Sequence, residues 1–191
     1  MNACCSSVAA VVASSGILST VRNINAAVLS IRFVERLYVV AQVISMTYLE
    51  DNLRTFPQAT DLPIILGSSS SNRQFVLNHS GWQHEVIAPD IDEKAIRNPD
   101  PFLLPVIIAK AKATAILSRL HDSRGPFMLL TADQIVLYGS EVREKPIDEA
   151  QATEFLSSYS EREVSTISAV VATHYPSGTV NVINNNSISS T

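Results

Sequence analysis

Four consecutive serines, Ser68–Ser71, follow Gly67 and lie just before Arg73. Serine hydroxyls and a guanidinium are donors that suit phosphate oxygens, and the guanidinium adds a fixed positive charge. The apolar run 62–66 before them is typical of a strand, and residues 74–78 after them can open a helix. Because the N-terminus of a helix also attracts anions, this stretch predicts a phosphate-binding loop. The alternative is an ordinary strand-to-helix turn with a serine N-cap, since the ending of a Walker loop is absent.

Carboxylates are concentrated in the segment Asp90-Ile91-Asp92-Glu93, which follows a predicted strand at 84–88. Three acids in four residues can hold a divalent cation. They can equally form a solvated acidic loop. The sequence leaves both interpretations open.

Two ionisable residues lie in otherwise apolar stretches. Lys112 has an isoleucine four residues away on each side, so it lies on the apolar stripe of a helix predicted over 100–120. A lysine there either extends past the edge of the core to solvent or points into a site. Asp133 follows the continuous apolar run 127–132, which predicts a strand covered on both faces. An acid at the carboxyl end of such a strand lies where α/β sheets bind ligands.

The rest of the pattern alternates strands and helices, as in an α/β protein. Asp148 with Gln151 predicts a capping box before a second helix. Residues 166–173 predict a strand, and 179–183 can pair back on it as a hairpin. Residues 184–191 form a polar tail without periodicity.

Composition limits the class of protein. The chain has 191 residues, of which 46% are hydrophobic and 17% charged, and this suits one packed domain. Its net charge of −4 argues against nucleic acid as a partner held by bulk charge. The two cysteines, Cys4 and Cys5, are adjacent near the N-terminus, which excludes disulfides and cysteine zinc sites from the core.

Residues 1–50 differ in composition from the rest of the chain. No acid precedes Glu35, whereas arginine, serine and alanine are frequent, which is typical of an organelle transit peptide. The alternative is a non-native extension, with the working protein beginning near Met46. A transit peptide over 1–45 would direct the protein to a chloroplast or mitochondrion, and the alternative predicts a cytoplasmic location. The apolar run 37–49 is too short to cross a bilayer, so we expect no membrane partner.

Five motifs, taken in order, resemble those of the Maf family of nucleoside triphosphate pyrophosphatases, its plant members in particular. The motifs are Gly67-Ser68-Ser69-Ser70 with Arg73, Pro89–Glu93, Ala109–Ala113, Thr131–Val136 and Glu144-Lys145-Pro146. The resemblance covers residues 62–183, a partial family domain. It implies an α/β fold with an elongated mixed sheet and flanking helices, similar to that of inosine triphosphate pyrophosphatases.

The family resemblance implies hydrolysis of modified or surplus nucleoside triphosphates to a monophosphate and pyrophosphate. The residues that it assigns to the substrate phosphates are Ser68, Arg73, Lys112 and Lys145. Asp133 would accept the proton of the attacking water, and Glu93 with Asp133 would hold a divalent metal, Mg²⁺ in the simplest case. This division of work suits phosphoryl transfer, which depends on positioning and charge neutralisation. A homodimer is the assembly to be tested.

The sequence departs from the family at positions that bear on the choice of base. Asn72 stands in Ser71-Asn72-Arg73 where the family usually has Pro-Arg-Arg, and Gln134 replaces a threonine common in the branch that acts on dTTP and UTP. Pyrimidine preference is therefore open. The family's C-terminal third, with a substrate-contacting glutamine, has no counterpart here. The alternative expectation is thus a truncated product that binds nucleotide without turnover.

Overall fold

The structure is a computed structural model that describes residues 62–79, 81–120, 124–144, 146–159 and 164–189. The predictions for residues 1–50 and for Lys145 fall outside these ranges. Within them, no helix is long and apolar enough to cross a membrane.

The described elements alternate helices and strands along the chain. In order they are β1 (Ile64–Gly67), α1 (Ser71–His79), β2 (His84–Val86), a 3₁₀ helix (Glu93–Ala95), α2 (Leu104–Leu117), β3 (Phe127–Tyr138), β4 (Glu141–Arg143), α3 (Glu149–Tyr159), β5 (Val164–Tyr175) and β6 (Thr179–Ser189). The six strands form one sheet in the order β2-β1-β3-β5-β6, with β4 paired to β3. β1 pairs in parallel with β2 and β3, whereas β3, β5 and β6 are antiparallel. The predicted α/β class with a mixed sheet and flanking helices is confirmed.

β3 is the central strand, and it runs through Asp133 without interruption. The expectation that Asp133 lies at a strand end is therefore wrong. The parallel pairing of β3 with β1 nevertheless ends at Thr131, and β4 pairs with β3 only from Val136 onward. Along the edge of β3 that pairs with β1 and β4, residues 132–135 have no strand partner within the described ranges. Asp133 lies at this gap in the sheet.

α2 begins four residues later than predicted. Asp100 caps a preceding turn, because its Oδ1 accepts the backbone N–H of Phe102 at 2.8 Å and its carbonyl accepts that of Leu104 at 3.2 Å. Pro105 lies in the first turn of the helix, where a missing N–H costs nothing, so it does not have to distort the helix. The helix ends at Leu117 rather than at Leu120.

The two faces of the sheet carry separate apolar clusters. α2 covers one face with a cluster of Ile65, Ala113, Ile116, Phe127 and Leu129. α1 covers the other through Val76 and Leu77, which pack on residues of β1, β3 and β5. The sheet is therefore buried on both sides where β1 and β3 meet, as the continuous apolar sequence of β3 predicts.

The C-terminal hairpin is longer than predicted. β6 pairs with β5 from Thr179 to Ser189, so the backbone of 184–189 continues the strand. Backbone hydrogen bonds to an adjacent strand need no apolar periodicity, which explains why composition indicated a tail instead. The capping box of α3 is confirmed, with Asp148 Oδ1 accepting the N–H of Gln151 at 2.8 Å.

Candidate functional site

A cleft of about 710 Å³ opens beside β3, at the gap between the ends of β1 and β4. The predicted site residues that line it are Ser68, Arg73, Glu93, Lys112, Asp133 and Gln134. These come from the β1–α1 loop, α1, the 3₁₀ helix, α2 and β3, so five elements converge on one cavity. Asn72, half-buried in α1, is not among the lining residues, and Lys145 lies outside the described ranges.

The centre of the cleft is a buried ion pair. Lys112 is only 3% exposed, and its Nζ lies 2.9 Å from Asp133 Oδ1. The same ammonium donates to the carbonyl of Ala132 at 3.2 Å and lies 2.9 Å from Glu93 Oε2. Of the two interpretations of this lysine, the structure therefore supports the one in which it points into a site.

Two contacts fix α2 against the sheet, one a turn before Lys112 and one a turn after it. Thr131 Oγ1, fully buried, donates to the carbonyl of Ala109 at 2.7 Å. Gly67 lies so close to the helix that a Cβ built there would be 2.5 Å from Ile116 Cδ1. The sequence analysis found neither contact, because both join residues that are distant along the chain.

The serine loop has the predicted strand–loop–helix geometry. Ser68 is buried, and its Oγ accepts the N–H of Ser70 at 3.1 Å and a guanidinium N–H of Arg73 at 3.2 Å. α1 begins at Ser71, so its N-terminus faces the same loop. Burial lowers the pKa of Arg73, and the negative charges of Asp133 and Glu93 oppose that shift. The loop thus presents a cation and a hydroxyl at one wall of the cleft.

Asp133 is a buried carboxyl, and burial raises its pKa above the ordinary value of 3.8. The positive charges of Lys112 and Arg73 act in the opposite direction, and Glu93 adds to the increase. Burial outweighs the two positive charges, because the Lys112 ammonium is bonded to Asp133 through Oδ1 alone. A carboxylate with a raised pKa is a stronger proton acceptor than an ordinary aspartate.

The acidic segment does not act as one cluster. Asp92 Oδ1 accepts the N–H of Lys94 at 3.1 Å and so caps the 3₁₀ helix, and Asp90 lies 3.8 Å from Arg119. Glu93 alone reaches Lys112. No three side chains of the histidine, cysteine, aspartate or glutamate type come together in the described part of the chain.

Apolar side chains and a surface ion pair also line the cleft. Leu104, Ile108 and Ile135 line it. Arg97 lies 3.1 Å from Glu144 at its rim, a pair that the sequence analysis missed although Glu144 belongs to one of the motifs.

Gln134 lines the same cleft, and its side-chain nitrogen and oxygen are both buried without a hydrogen-bond partner among the described residues. Buried amides normally have hydrogen-bond partners, so this side chain departs from the usual pattern.

Comparisons with known proteins agree with this geometry. Residues 63–189 match the sequence profile of a family described as Maf-like protein. The chain is 38% identical over 125 residues to a 7-methyl-GTP pyrophosphatase of Dictyostelium discoideum, which covers 63% of this chain and 64% of that protein. It is 36% identical over 91 residues to a nucleoside triphosphate pyrophosphatase of Prochlorococcus marinus (46% of this chain, 43% of the relative). It is 34% identical over 109 residues to a dTTP/UTP pyrophosphatase of Chlamydia trachomatis (56% and 54%). The chain therefore spans less than two thirds of the length of each of these relatives.

Proposed function

Because the chain belongs to the Maf-like protein family, we propose that its cleft binds a nucleoside triphosphate and hydrolyses it to a nucleoside monophosphate and pyrophosphate. The observation that carries the proposal is the buried pair of Lys112 and Asp133 beside Ser68 and Arg73. The names of the relatives support the reaction class, since each of the three is a pyrophosphatase that acts on nucleoside triphosphates.

The phosphate chain would lie at the polar end of the cleft. Ser68, Arg73 and Lys112 supply a hydroxyl, a guanidinium and an ammonium there, and the N-terminus of α1 adds backbone donors. Lys145 is a further proposed phosphate ligand from the segment after β4. These groups would neutralise the charge that develops on the leaving pyrophosphate.

Asp133 is the proposed general base. Water would attack the α-phosphorus, the bond to the oxygen bridging the α- and β-phosphates would break, and the proton of the water would pass to the Asp133 carboxylate. Burial makes Asp133 more basic than an ordinary aspartate, which favours this transfer. Lys112 holds the carboxylate in place through the 2.9 Å contact to Oδ1.

The residues present fit a divalent cation shared with the substrate. Mg²⁺ is commonly held by one or two carboxylates together with substrate phosphates rather than by a complete protein cage. Glu93 and Asp133 meet at the same ammonium and supply two such carboxylates. Magnesium would supply a Lewis acid on the phosphate oxygens.

The base would lie at the apolar end of the cleft. Gln134 lines the cleft and is a proposed determinant of base choice, because a side-chain amide carries both donors and acceptors for a base edge. Asn72 is a second proposed determinant of base choice, one that would act from α1. The preferred nucleobase has to be measured, because the three relatives differ in the nucleotide that their names specify.

The experiment is a measurement of pyrophosphate release from a panel of nucleoside triphosphates, with and without Mg²⁺. Asp133→Asn is expected to lower turnover by at least about 100-fold, the lower end of what a general base contributes. Asp90→Asn removes an exposed acid near Arg119 and serves as the matched control. Nucleotide binding without pyrophosphate release would favour the alternative of a non-catalytic binding protein.

Macromolecular partners, assembly and location of the protein also remain to be tested. We propose that the protein binds neither nucleic acid nor membrane, and a homodimer is the assembly to be tested. The location, in the cytoplasm or in an organelle, depends on residues 1–45.

A further inference from the structure

Lys112 has no donor left for a substrate in this structure. A lysine ammonium carries three N–H donors. Its three partners here are the carbonyl of Ala132, Asp133 Oδ1 and Glu93 Oε2. A phosphate oxygen can therefore bind this nitrogen only by displacing one of them.

The three partners differ in how easily they can leave. The carbonyl of Ala132 belongs to the backbone of β3, and the side chain of Asp133 on the same strand is 10% exposed. The side chain of Glu93 is 46% exposed, and the 3₁₀ helix that carries it has three residues, none of them buried. Glu93 is thus the partner that can move away at the lowest cost.

The charges around Lys112 also favour the departure of Glu93 when a phosphate chain binds. Arg73 and Lys112 are balanced by Glu93 and Asp133, so the four side chains together carry no net charge when all are ionised. A polyphosphate gains little from such a site. If Glu93 withdraws, one positive charge remains to attract the phosphate chain.

We propose that Glu93 occupies on Lys112 the place of a substrate phosphate oxygen, and that it leaves when the triphosphate enters. This inference rests on the proposed function, since it assumes that Lys112 binds phosphate. Glu93 is then a placeholder that keeps the buried ammonium satisfied in the free protein and competes with the incoming phosphate. A divalent cation would favour the exchange, because it offers the displaced carboxylate a new partner.

The test is binding of inorganic tripolyphosphate by calorimetry in the presence of EDTA, which needs neither a base nor turnover. Glu93→Gln and Glu93→Ala are expected to bind about fivefold more tightly than the wild-type chain, because the competing carboxylate is gone. Asp92→Asn removes one negative charge from the same segment without touching Lys112. This control is expected to change affinity less than about twofold.

Unchanged or weaker binding by both Glu93 variants would overturn the inference, as would an equal gain in Asp92→Asn. A failure of the proposed function has a different signature. In that case the wild-type chain and the Glu93 variants bind no tripolyphosphate, and the wild type releases no pyrophosphate from any nucleotide.

Discussion

As the proposed general base, Asp133 would have to remain ionised to accept a proton, although burial disfavours its charge. The positive charges of Lys112 and Arg73 partly offset the loss of water around the carboxyl. The outcome is a carboxyl whose pKa is still raised above 3.8.

The pH dependence of turnover follows from this direction. The base form of Asp133 is lost as pH falls through its pKa, so activity should fall on the acidic side. Because burial raises that pKa, the acid limb of kcat/KM should lie above pH 3.8. A pH–rate profile of the wild-type chain measures it. A limb at or below pH 3.8 would exclude Asp133 as the group that titrates.

Lys112 gives a second prediction at this scale. Lys112→Met keeps the apolar stem and removes the ammonium, so tripolyphosphate should bind at least about tenfold more weakly. Lys110→Met is the control, since Lys110 is exposed on the same helix and is not among the residues that line the cleft. Equal affinities of a folded Lys112→Met protein and the wild type would refute the phosphate role.

At the scale of elements, the position of Lys112 depends on how closely α2 approaches the β1–β3 pair. Gly67 permits this approach, because a Cβ there would be 2.5 Å from Ile116 Cδ1 and 2.6 Å from Thr131 Cγ2. Thr131 cannot turn its methyl away freely, since its hydroxyl is bonded to the carbonyl of Ala109.

Gly67→Ala should therefore lower the free energy of unfolding by about 1–3 kcal/mol, the usual cost of overpacking. Gly125→Ala is the matched control, because a Cβ at Gly125 meets nothing within 4 Å and the residue is exposed. Urea titration of both variants measures the difference. A Gly67→Ala protein as stable as the wild type would mean that α2 moves away without cost.

The elements predicted correctly are those encoded in local sequence. The β1–α1 loop has its signal in adjacent residues, and so does the capping box of Asp148 and Gln151. The helix predicted from residue 100 starts too early, because the turn at Asp100 uses the same residue types as an N-cap. Residues 135–138 also predict strand, but the unbroken course of β3 through Asp133 depends on pairing with β4 and β5, which follow it in the chain.

The same limit applies to the site. The sequence identified Ser68, Arg73, Lys112 and Asp133 by type, and the structure brings them together. The link from Glu93 to Lys112 could not be predicted, because it joins a 3₁₀ helix to a different helix and leaves no periodic pattern. The role of Lys145 stays a prediction.

At the scale of the whole molecule, the cleft lies where the strand pairing of the sheet changes from parallel to antiparallel. The parallel part, β2-β1-β3, ends at Thr131, and the antiparallel part, β3-β5-β6, continues beyond it. The long central strand joins the two parts, so one strand carries both the apolar core and the carboxyl of the site. The proposed general base therefore belongs to the strand that also carries the core.

The burial of Asp133 predicts how the stability of the whole fold depends on pH. The pKa of Asp133 is higher in the folded chain than the 3.8 of an unperturbed aspartate, so the folded state binds this proton more tightly than the unfolded state. The contribution of the group to stability is thus fully present below pH 3.8 and declines as pH rises through the folded pKa. Asp133→Asn stays neutral throughout, so it isolates this contribution from that of every other carboxyl.

The measurement is the free energy of unfolding of the wild type minus that of Asp133→Asn, taken by urea titration at several pH values. We expect the difference to become less favourable to the wild type as pH rises from about 3.8, and then to level off. If the ion pair with Lys112 outweighed burial, the folded pKa would be depressed instead. The difference would then grow with pH, and the account of Asp133 as an unusually basic carboxylate would have to be abandoned.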